Sequence, residues 1–305
     1  MSDPQIEMTK AVDYLARWTP GGSQTGSKAP GRAGPSGGGY PAVLMEGFGC
    51  HVTDVAGRSY LDMIASLAAV GLGHANDQVC RAVEQQLRRG SLLSLPTLLE
   101  GRASEALCEM TGWAEQARWV KTGSEATEAA VRIARCATGR NMVLTVRDGY
   151  HAWHSWFQAV KPVHPGVPDA QASMIRGLPY GDIDLWHNAL SSRAYAAVIL
   201  EPSPINGGGD PSFLSALAVA CHAHGTLLIF DEVVWGFRLA QAGGTEFFSV
   251  QPDLATYGKA LGNGIPVGAV VGSAHLMQHA RWISGTFGGD TLGLAAAMAV
   301  MNIYR

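Results

Sequence analysis

Three short stretches of this 305-residue sequence place reactive residue types at the ends of apolar runs. In the first, Lys121-Thr122-Gly123-Ser124-Glu125-Ala126-Thr127-Glu128, a short apolar run gives way to a helical stripe of Ala126, Ala129, Ala130, Ile133 and Ala134. Backbone N–H groups at Gly123 and Ser124, a hydroxyl and the positive end of a helix dipole together suit an anion such as a phosphate. The plainer alternative is an N-cap, with Ser124 serving its own helix and Glu125 and Glu128 complementing the dipole. The stretch is neither GxGxxG nor GxxxxGK followed by Ser or Thr, so a nucleotide site is not indicated. In the second, Leu228-Ile229-Phe230-Asp231-Glu232-Val233, two carboxylates end an apolar run. A buried Asp is costly without a cation or donor, so Asp231 requires such a partner, unless the two acids hold a metal or cap a helix. In the third, Pro252-Asp253-Leu254-Ala255-Thr256-Tyr257-Gly258-Lys259-Ala260-Leu261-Gly262, Lys259 ends another apolar run and is flanked by glycines. Most lysines are solvated, but one placed where a buried strand ends is desolvated, which lowers its pKa and leaves a nucleophilic amine. An amine able to form a Schiff base, an acid for a pyridinium nitrogen and an anion cradle are the parts that pyridoxal 5'-phosphate needs.

These residues must be positioned by a larger framework. Short apolar runs at 117–120, 141–146, 196–200, 226–230, 255–257 and 267–271 alternate with helical patterns such as Glu125–Ala137 and Leu214–His224. Continuous apolar strands interleaved with helices imply an α/β fold whose sheet is covered on both faces. Ligands of such sheets gather at the loops leaving the strands, where the three stretches fall. Ahead of this region the sequence predicts a helix over 5–18, a loop or arm rich in Gly, Ser and Pro over 20–40, a hairpin within 43–63, and helices over 76–90 and 99–111. An Ala- and Met-rich helical pattern over 291–304 closes the chain.

Composition narrows the function. Hydrophobic residues make up 47% of the chain, enough for a substantial core, whereas charged residues are only 15% and glycines number 38. Few charges and many glycines suit an oligomer in which backbone approaches a ligand closely. A net charge of -3 offers no basic stripe for nucleic acid. No apolar run reaches the roughly 18 residues of a membrane span, and the N-terminus carries no signal core, so the expected location is cytoplasmic. Five scattered cysteines without a CxxC spacing fit reduced thiols. No His, Cys and Asp cluster has metal-ligand spacing.

The motifs together resemble the class III aminotransferases of PLP fold type I, and most closely the glutamate-1-semialdehyde 2,1-aminomutase branch. The resemblance is carried by Pro20-Gly21-Gly22, Leu72-Gly73-His74, Ser94-Leu95-Pro96-Thr97, Thr122-Gly123-Ser124-Glu125-Ala126, Gly149-Tyr150-His151, Ile199-Leu200-Glu201-Pro202, the Asp231-Glu232-Val233 run to Arg238, Gly258-Lys259-Ala260-Leu261-Gly262 and Gly285-Thr286-Phe287-Gly288-Gly289. It implies a mostly parallel mixed sheet sandwiched by helices, with an N-terminal arm and a truncated small domain. The implied division is an N-terminal helix and Gly-rich arm over 1–50, a large PLP-binding domain over 51–290, and a helix over 291–305 leading to a C-terminal domain that this sequence lacks. By the same resemblance Lys259 is the Schiff-base lysine, Asp231 keeps the pyridine nitrogen protonated, and Gly123 and Ser124 hold the phosphate. Tyr150 stacks on one ring face and Val233 packs on the other. Thr286 completes the phosphate site of the neighbouring subunit of a homodimer. Glu201 has a structural role near the cofactor, and Arg238 anchors the loop after Asp231 through an ion pair. Arg32 is the candidate for the substrate carboxylate, with Lys28 close by in spacing, and Trp153 is a candidate substrate contact. His151 and His154 are either pocket wall or satisfied core histidines.

The implied reaction moves an amino group from an amine or amino-acid donor to a keto or aldehyde acceptor by a ping-pong route. The alternatives are an aminomutase working within one molecule, and a PLP-binding, catalytically silent homologue. Three departures weigh on the aminomutase reading: Ala152 replaces a glycine, Leu67 stands where a Trp is common, and the 158–167 loop is short.

Overall fold

The computed structural model describes residues 4–31, 40–162, 165–205 and 210–305, and Arg32 falls outside them. The chain forms two compact units, Met1–Leu67 with Leu72–Asn76, and Ala68–Gly71 with Asp77–Arg305.

In the first unit, helix α1 (Pro4–Trp18) carries Glu7 in its first turn and Arg17 in its last, each matched to the helix dipole. Strands β1 (Leu44–Phe48), β2 (His51–Asp54) and β3 (Ser59–Leu61) form an antiparallel sheet in that order. The expected hairpin is β2–β3, and its turn is held by Asp54, whose carboxylate accepts from the N–H groups of Ala56 and Arg58, both at 2.9 Å. Strand β1 was not anticipated as a separate element, because it is largely exposed and lacks an alternating pattern.

The second unit is built on a seven-stranded sheet of β4 (Gln116–Val120), β5 (Met142–Val146), β6 (Ile175–Leu178), β7 (Tyr195–Leu200), β8 (Leu227–Asp231), β9 (Leu254–Tyr257) and β10 (Gly268–Gly272). The strand order is β4-β10-β9-β8-β7-β5-β6. Strands β9, β8, β7, β5 and β6 run parallel, while β10 lies antiparallel to both β9 and β4. This is the expected mostly parallel mixed sheet. The central strands β7, β9 and β10 are buried at every position, so their runs are uniformly apolar instead of alternating.

Period-two geometry then divides one apolar run between two layers. Helix α2 (Asp77–Leu87) precedes α3 (Leu98–Thr111), and Val198, Leu200, Leu228 and Phe230 face a core to which α3 contributes Leu107 and Met110. Ala197, Ile199, Ile229 and Leu254 face the opposite core under α4 (Gly123–Thr138), which supplies Ala130, Ile133 and Ala134. Helices α5 (Ile183–Ser191), α6 (Pro211–His224) and α7 (Thr291–Tyr304) complete the first layer with Trp186, Leu217 and Leu294. Strand β6 and helix α5 went unanticipated. Arg176 and Gly177 interrupt the apolar run of β6, as an edge strand permits. Among the described residues no helix is long and apolar enough to cross a membrane.

Helix α6 offers a direct check of this layering, since Leu217 is fully buried and Val219 is 70% exposed. Leu217→Ala is expected to lower unfolding stability by about 2–5 kcal/mol, and Val219→Ala by no more than about 0.5 kcal/mol. Denaturant midpoints measure both, and equal shifts would contradict the layer assignment.

Candidate active site

The parallel strands of the large sheet deliver their C-terminal ends to one edge, and most of the singled-out residues stand there. Asp231 is the last residue of β8 and is 2% exposed. Three donors fix its carboxylate. Oδ1 accepts from the Val233 N–H at 3.1 Å and the Thr256 hydroxyl at 3.2 Å, and Oδ2 pairs with His151 Nδ1 at 2.8 Å. His151 Nε2 lies 2.9 Å from Thr145 Oγ1, so the imidazole, 5% exposed, is held at both nitrogens. With its proton on Nδ1, His151 donates to Asp231 and accepts from Thr145. The donor that a buried aspartate requires is therefore a histidine. Oδ2 retains capacity for one further donor.

Lys259 follows β9 after Gly258, and its backbone takes a φ of 42°. That left-handed conformation in a non-glycine residue costs on the order of 1–3 kcal/mol and persists only where its surroundings enforce it. Its ammonium has no hydrogen bond or ion pair among the described residues. Burial pushes the lysine pKa below its ordinary value, aided by Arg238 and opposed by the charges of Asp231 and Glu201. Lys259 is thus a partly desolvated amine with no partner.

The helix start is arranged by Thr122 and not by Ser124. Thr122 Oγ1 accepts from the Glu125 N–H at 3.1 Å, and Glu125 Oε2 accepts from the N–H groups of Thr122 and Lys121 at 3.2 and 2.6 Å. This reciprocal cap leaves the N–H groups of Gly123 and Ser124 and the Ser124 hydroxyl without partners among the described residues. No larger residue fits at position 123, where a Cβ would meet Val233 Cγ1 at 2.7 Å. A Cβ at Gly258 would approach the Gly123 Cα to 3.3 Å. Gly123, Val233 and Gly258, the residue before Lys259, are brought together by these close approaches.

Tyr150, in the loop after β5, is 54% exposed, and Trp153 is 75% exposed. Thr286 is exposed and lines, with Thr122 and Glu125, a cavity of about 600 Å³ beside the start of α4. Arg238 does anchor the loop after Asp231, but through carbonyls: it donates to Val234 O at 2.9 Å and Ala68 O at 2.8 Å, with no carboxylate partner among the described residues. Its expected ion pair is replaced by these backbone contacts. Two further acids have displaced pKa values. Glu201, just past β7, is raised to about 7 by burial and by the nearby Asp231 charge. Glu232 is 1% exposed and is raised to about 8, chiefly by burial. Its Oε1 accepts from the N–H groups of Gly244 and Thr245 at 2.8 and 3.3 Å. Among the described residues no group of three or more His, Cys, Asp or Glu is disposed to hold a metal ion.

The sequence pattern did not single out Thr145 and Thr256 as site residues, although a signal was present. Each is a hydroxyl set in the middle of a wholly apolar strand and is fully buried, which calls for a specific polar neighbour.

The residues present fit pyridoxal phosphate. There is an unpartnered amine, an acid with one acceptor position open, and a helix start whose cap leaves two N–H groups and a hydroxyl free. Comparisons with known proteins agree. The family Aminotransferase class-III matches residues 35–305. The glutamate-1-semialdehyde 2,1-aminomutase of Syntrophobacter fumaroxidans is 36% identical over 94% of this chain and 70% of that enzyme. Among solved structures, an omega-transaminase from Sphaerobacter thermophilus matches with a TM-score of 0.90 at 28% identity, over 98% of this chain and 73% of that one. The PLP internal aldimine form of the FumI protein of Sphingopyxis sp. MTA144 matches with a TM-score of 0.90 at 25% identity, over 98% and 73%.

The raised pKa of Glu232 has a stability consequence. The folded state binds its proton more tightly than the unfolded chain does, so this contribution is complete below about 4.5 and is lost as pH rises through about 8. Glu232→Gln keeps the acceptor for Gly244 and cannot ionise. Its melting temperature is expected to fall less between about pH 5 and pH 9 than that of the parent chain. Parallel melting curves across that range would show that Glu232 does not titrate in this way.

Proposed function

The chain belongs to the class III aminotransferases and is a pyridoxal-phosphate-dependent aminotransferase, and from that premise we propose that Lys259 and Asp231 are its catalytic pair. The observation that carries this reading is the unpartnered Lys259 amine at the end of β9, next to an aspartate immobilised by three donors. When bound, pyridoxal phosphate supplies an aldehyde that condenses with amines and a protonated ring that takes up electrons from the substrate Cα. With the cofactor bound, Lys259 would offer its amine to that aldehyde and would hold or pass a proton at Nζ. Its lowered pKa increases the share of free amine, which both tasks need. Asp231 would hold the proton on the ring nitrogen, and His151, donating from Nδ1, orients the Asp231 carboxylate. Gly123 and Ser124 hold the phosphate with backbone N–H groups and the serine hydroxyl. Tyr150 supplies an aromatic face and Val233 an apolar one.

The functional particle in this reading is a homodimer in which Thr286 completes the partner's phosphate site. Exposed Trp282 (76%) and Phe287 (58%) flank Thr286 and support an interface there. The substrates are an amine or amino-acid donor and a keto or aldehyde acceptor, and the five free thiols suit a cytoplasmic location.

The parent chain with pyridoxal phosphate is expected to show a long-wavelength cofactor band that shifts on adding an amine donor. Lys259→Ala should lose the band and slow donor conversion at least about 10³-fold. A spectrum unaltered by that substitution would remove the assignment.

A second reading, an aminomutase of the glutamate-1-semialdehyde type, is favoured by the aminomutase relative at 36% identity. It predicts turnover of a 2-amino-aldehyde to its isomer with no second substrate. A strict requirement for an external keto acid, measured by product formation with and without one, would exclude it.

A further inference from the structure

The loop after the short helix Ser155–Gln158 brings a second lysine to the strand ends. Lys161 Nζ donates to the Asp148 carbonyl at 2.5 Å, and Asp148 is itself set in the left-handed region at a φ of 61°. The same ammonium lies 5.9 Å from the centroid of the Tyr150 ring. Its charge also acts on Glu201, alongside that of Lys259. Lys161 is therefore tethered beside the loops leaving β5 and β7, and not free in solvent. No carboxylate lies within ion-pair distance of it among the described residues. One of its three donors is used by Asp148, and two are unassigned.

The charges around the site give this lysine a task. Asp231 and Glu201 both stand at the strand ends, and a donor carboxylate would approach the Asp231 charge and, above about pH 7, that of Glu201 as well. At an effective dielectric of about 20, like charges at contact distances repel by several kcal/mol, enough to exclude an anionic substrate unless a cation offsets them. Lys259 is committed to the cofactor. Arg238 anchors its loop with two of its five N–H donors. Lys161 is a cation beside the Tyr150 ring with two donors to spare among the described residues, and a carboxylate is a group its compact ammonium would take.

We propose that Lys161 is a specificity residue that binds the carboxylate of the amine donor, so that the site is built for amino acids in preference to simple amines. This inference rests on the aminotransferase reading given above. The test uses the pyridoxal-phosphate-loaded chain and two donors of one skeleton, L-alanine and isopropylamine, in which a methyl group replaces the carboxylate. Half-saturating concentrations are read from the cofactor absorbance for the parent chain, Lys161→Met and Lys161→Arg. Loss of a charge-assisted contact is expected to raise the ratio of L-alanine to isopropylamine half-saturation roughly 10–100-fold in Lys161→Met, and Lys161→Arg should restore part of it. An unchanged ratio overturns the proposal. So does a loss of pyridoxal phosphate affinity with the ratio intact, which would make Lys161 a phosphate ligand. Propionate titrated against the cofactor spectrum provides a measurement independent of turnover. It should bind about tenfold or more weakly to Lys161→Met, and equal binding overturns the proposal even if neither amine is converted. A failed aminotransferase reading is recognised separately, by the absence of any Lys259-dependent cofactor band.

Discussion

The constraint on which the site depends is the separation of one ammonium from one carboxylate. Lys259 and Asp231 stand at the ends of adjacent parallel strands, β9 and β8, close enough for each charge to act on the other. Left free, they would close into an ion pair, which would raise the lysine pKa and remove the amine from use. Three donors prevent this. The Val233 N–H, the Thr256 hydroxyl and His151 Nδ1 hold the Asp231 carboxylate from three sides. The left-handed backbone at Lys259 fixes the other partner. The amine stays unpaired among the described residues, while the oriented acid keeps one acceptor position open on Oδ2.

That arrangement has requirements deeper in the sheet. His151 can hold Asp231 only if its second nitrogen is satisfied, and Thr145 does this from the middle of β5. A polar chain of Thr145, His151, Asp231 and Thr256 therefore runs through otherwise apolar strands, all four residues at 5% exposure or less. Such a network is favourable only when each member is paired. The same logic applies at the helix start. Because Thr122 and Glu125 cap each other's backbone, Gly123 and Ser124 are released from capping and remain free for an anion. A serine serving its own helix would have no such capacity.

Much of this was legible in the sequence. Six apolar runs gave six strands of the large sheet; Asp231 and Lys259 read correctly as strand-end residues because each follows a run without charge, and Gly123 as a helix start because the stripe of Ala126, Ala129, Ala130 and Ile133 follows it. What escaped notice has identifiable causes. Edge strand β6 tolerates Arg176 and Gly177, so its apolar signal is broken, and exposed β1 never had one. Thr145 and Thr256 looked like ordinary β-branched strand residues, since β propensity rewards Thr for its shape and says nothing about its hydroxyl. His151 stayed ambiguous between core and pocket because its partner lies 80 positions away, and sequence spacing carries no information about that contact. Lys161 sits in a short loop with no periodic pattern.

Beneath the catalytic edge lies a second layer of constraint, in which the loops after β7 and β8 fix one another. Glu232 turns away from Asp231 and accepts from the Gly244 N–H. A Cβ at Gly243 would meet Glu232 Oε2 at 2.6 Å, and one at Gly244 would meet Pro202 Cγ at 2.4 Å. Pro202 follows Glu201, so the position of the Glu201 carboxyl is tied, through two glycines, to the residue beside Asp231. Glu232 Oε2 and the neighbouring Tyr257 hydroxyl are buried without partners, a polar burden that an apolar pair of similar volume would remove. Such burdens are retained where they position something else. Here the glutamate uses its one satisfied oxygen to hold a turn, the turn presses on Pro202, and Pro202 sets where Glu201 meets the charges of Asp231, Lys259 and Lys161. The site is thus a set of charges whose spacing is enforced by backbone contacts too tight for any side chain to enter.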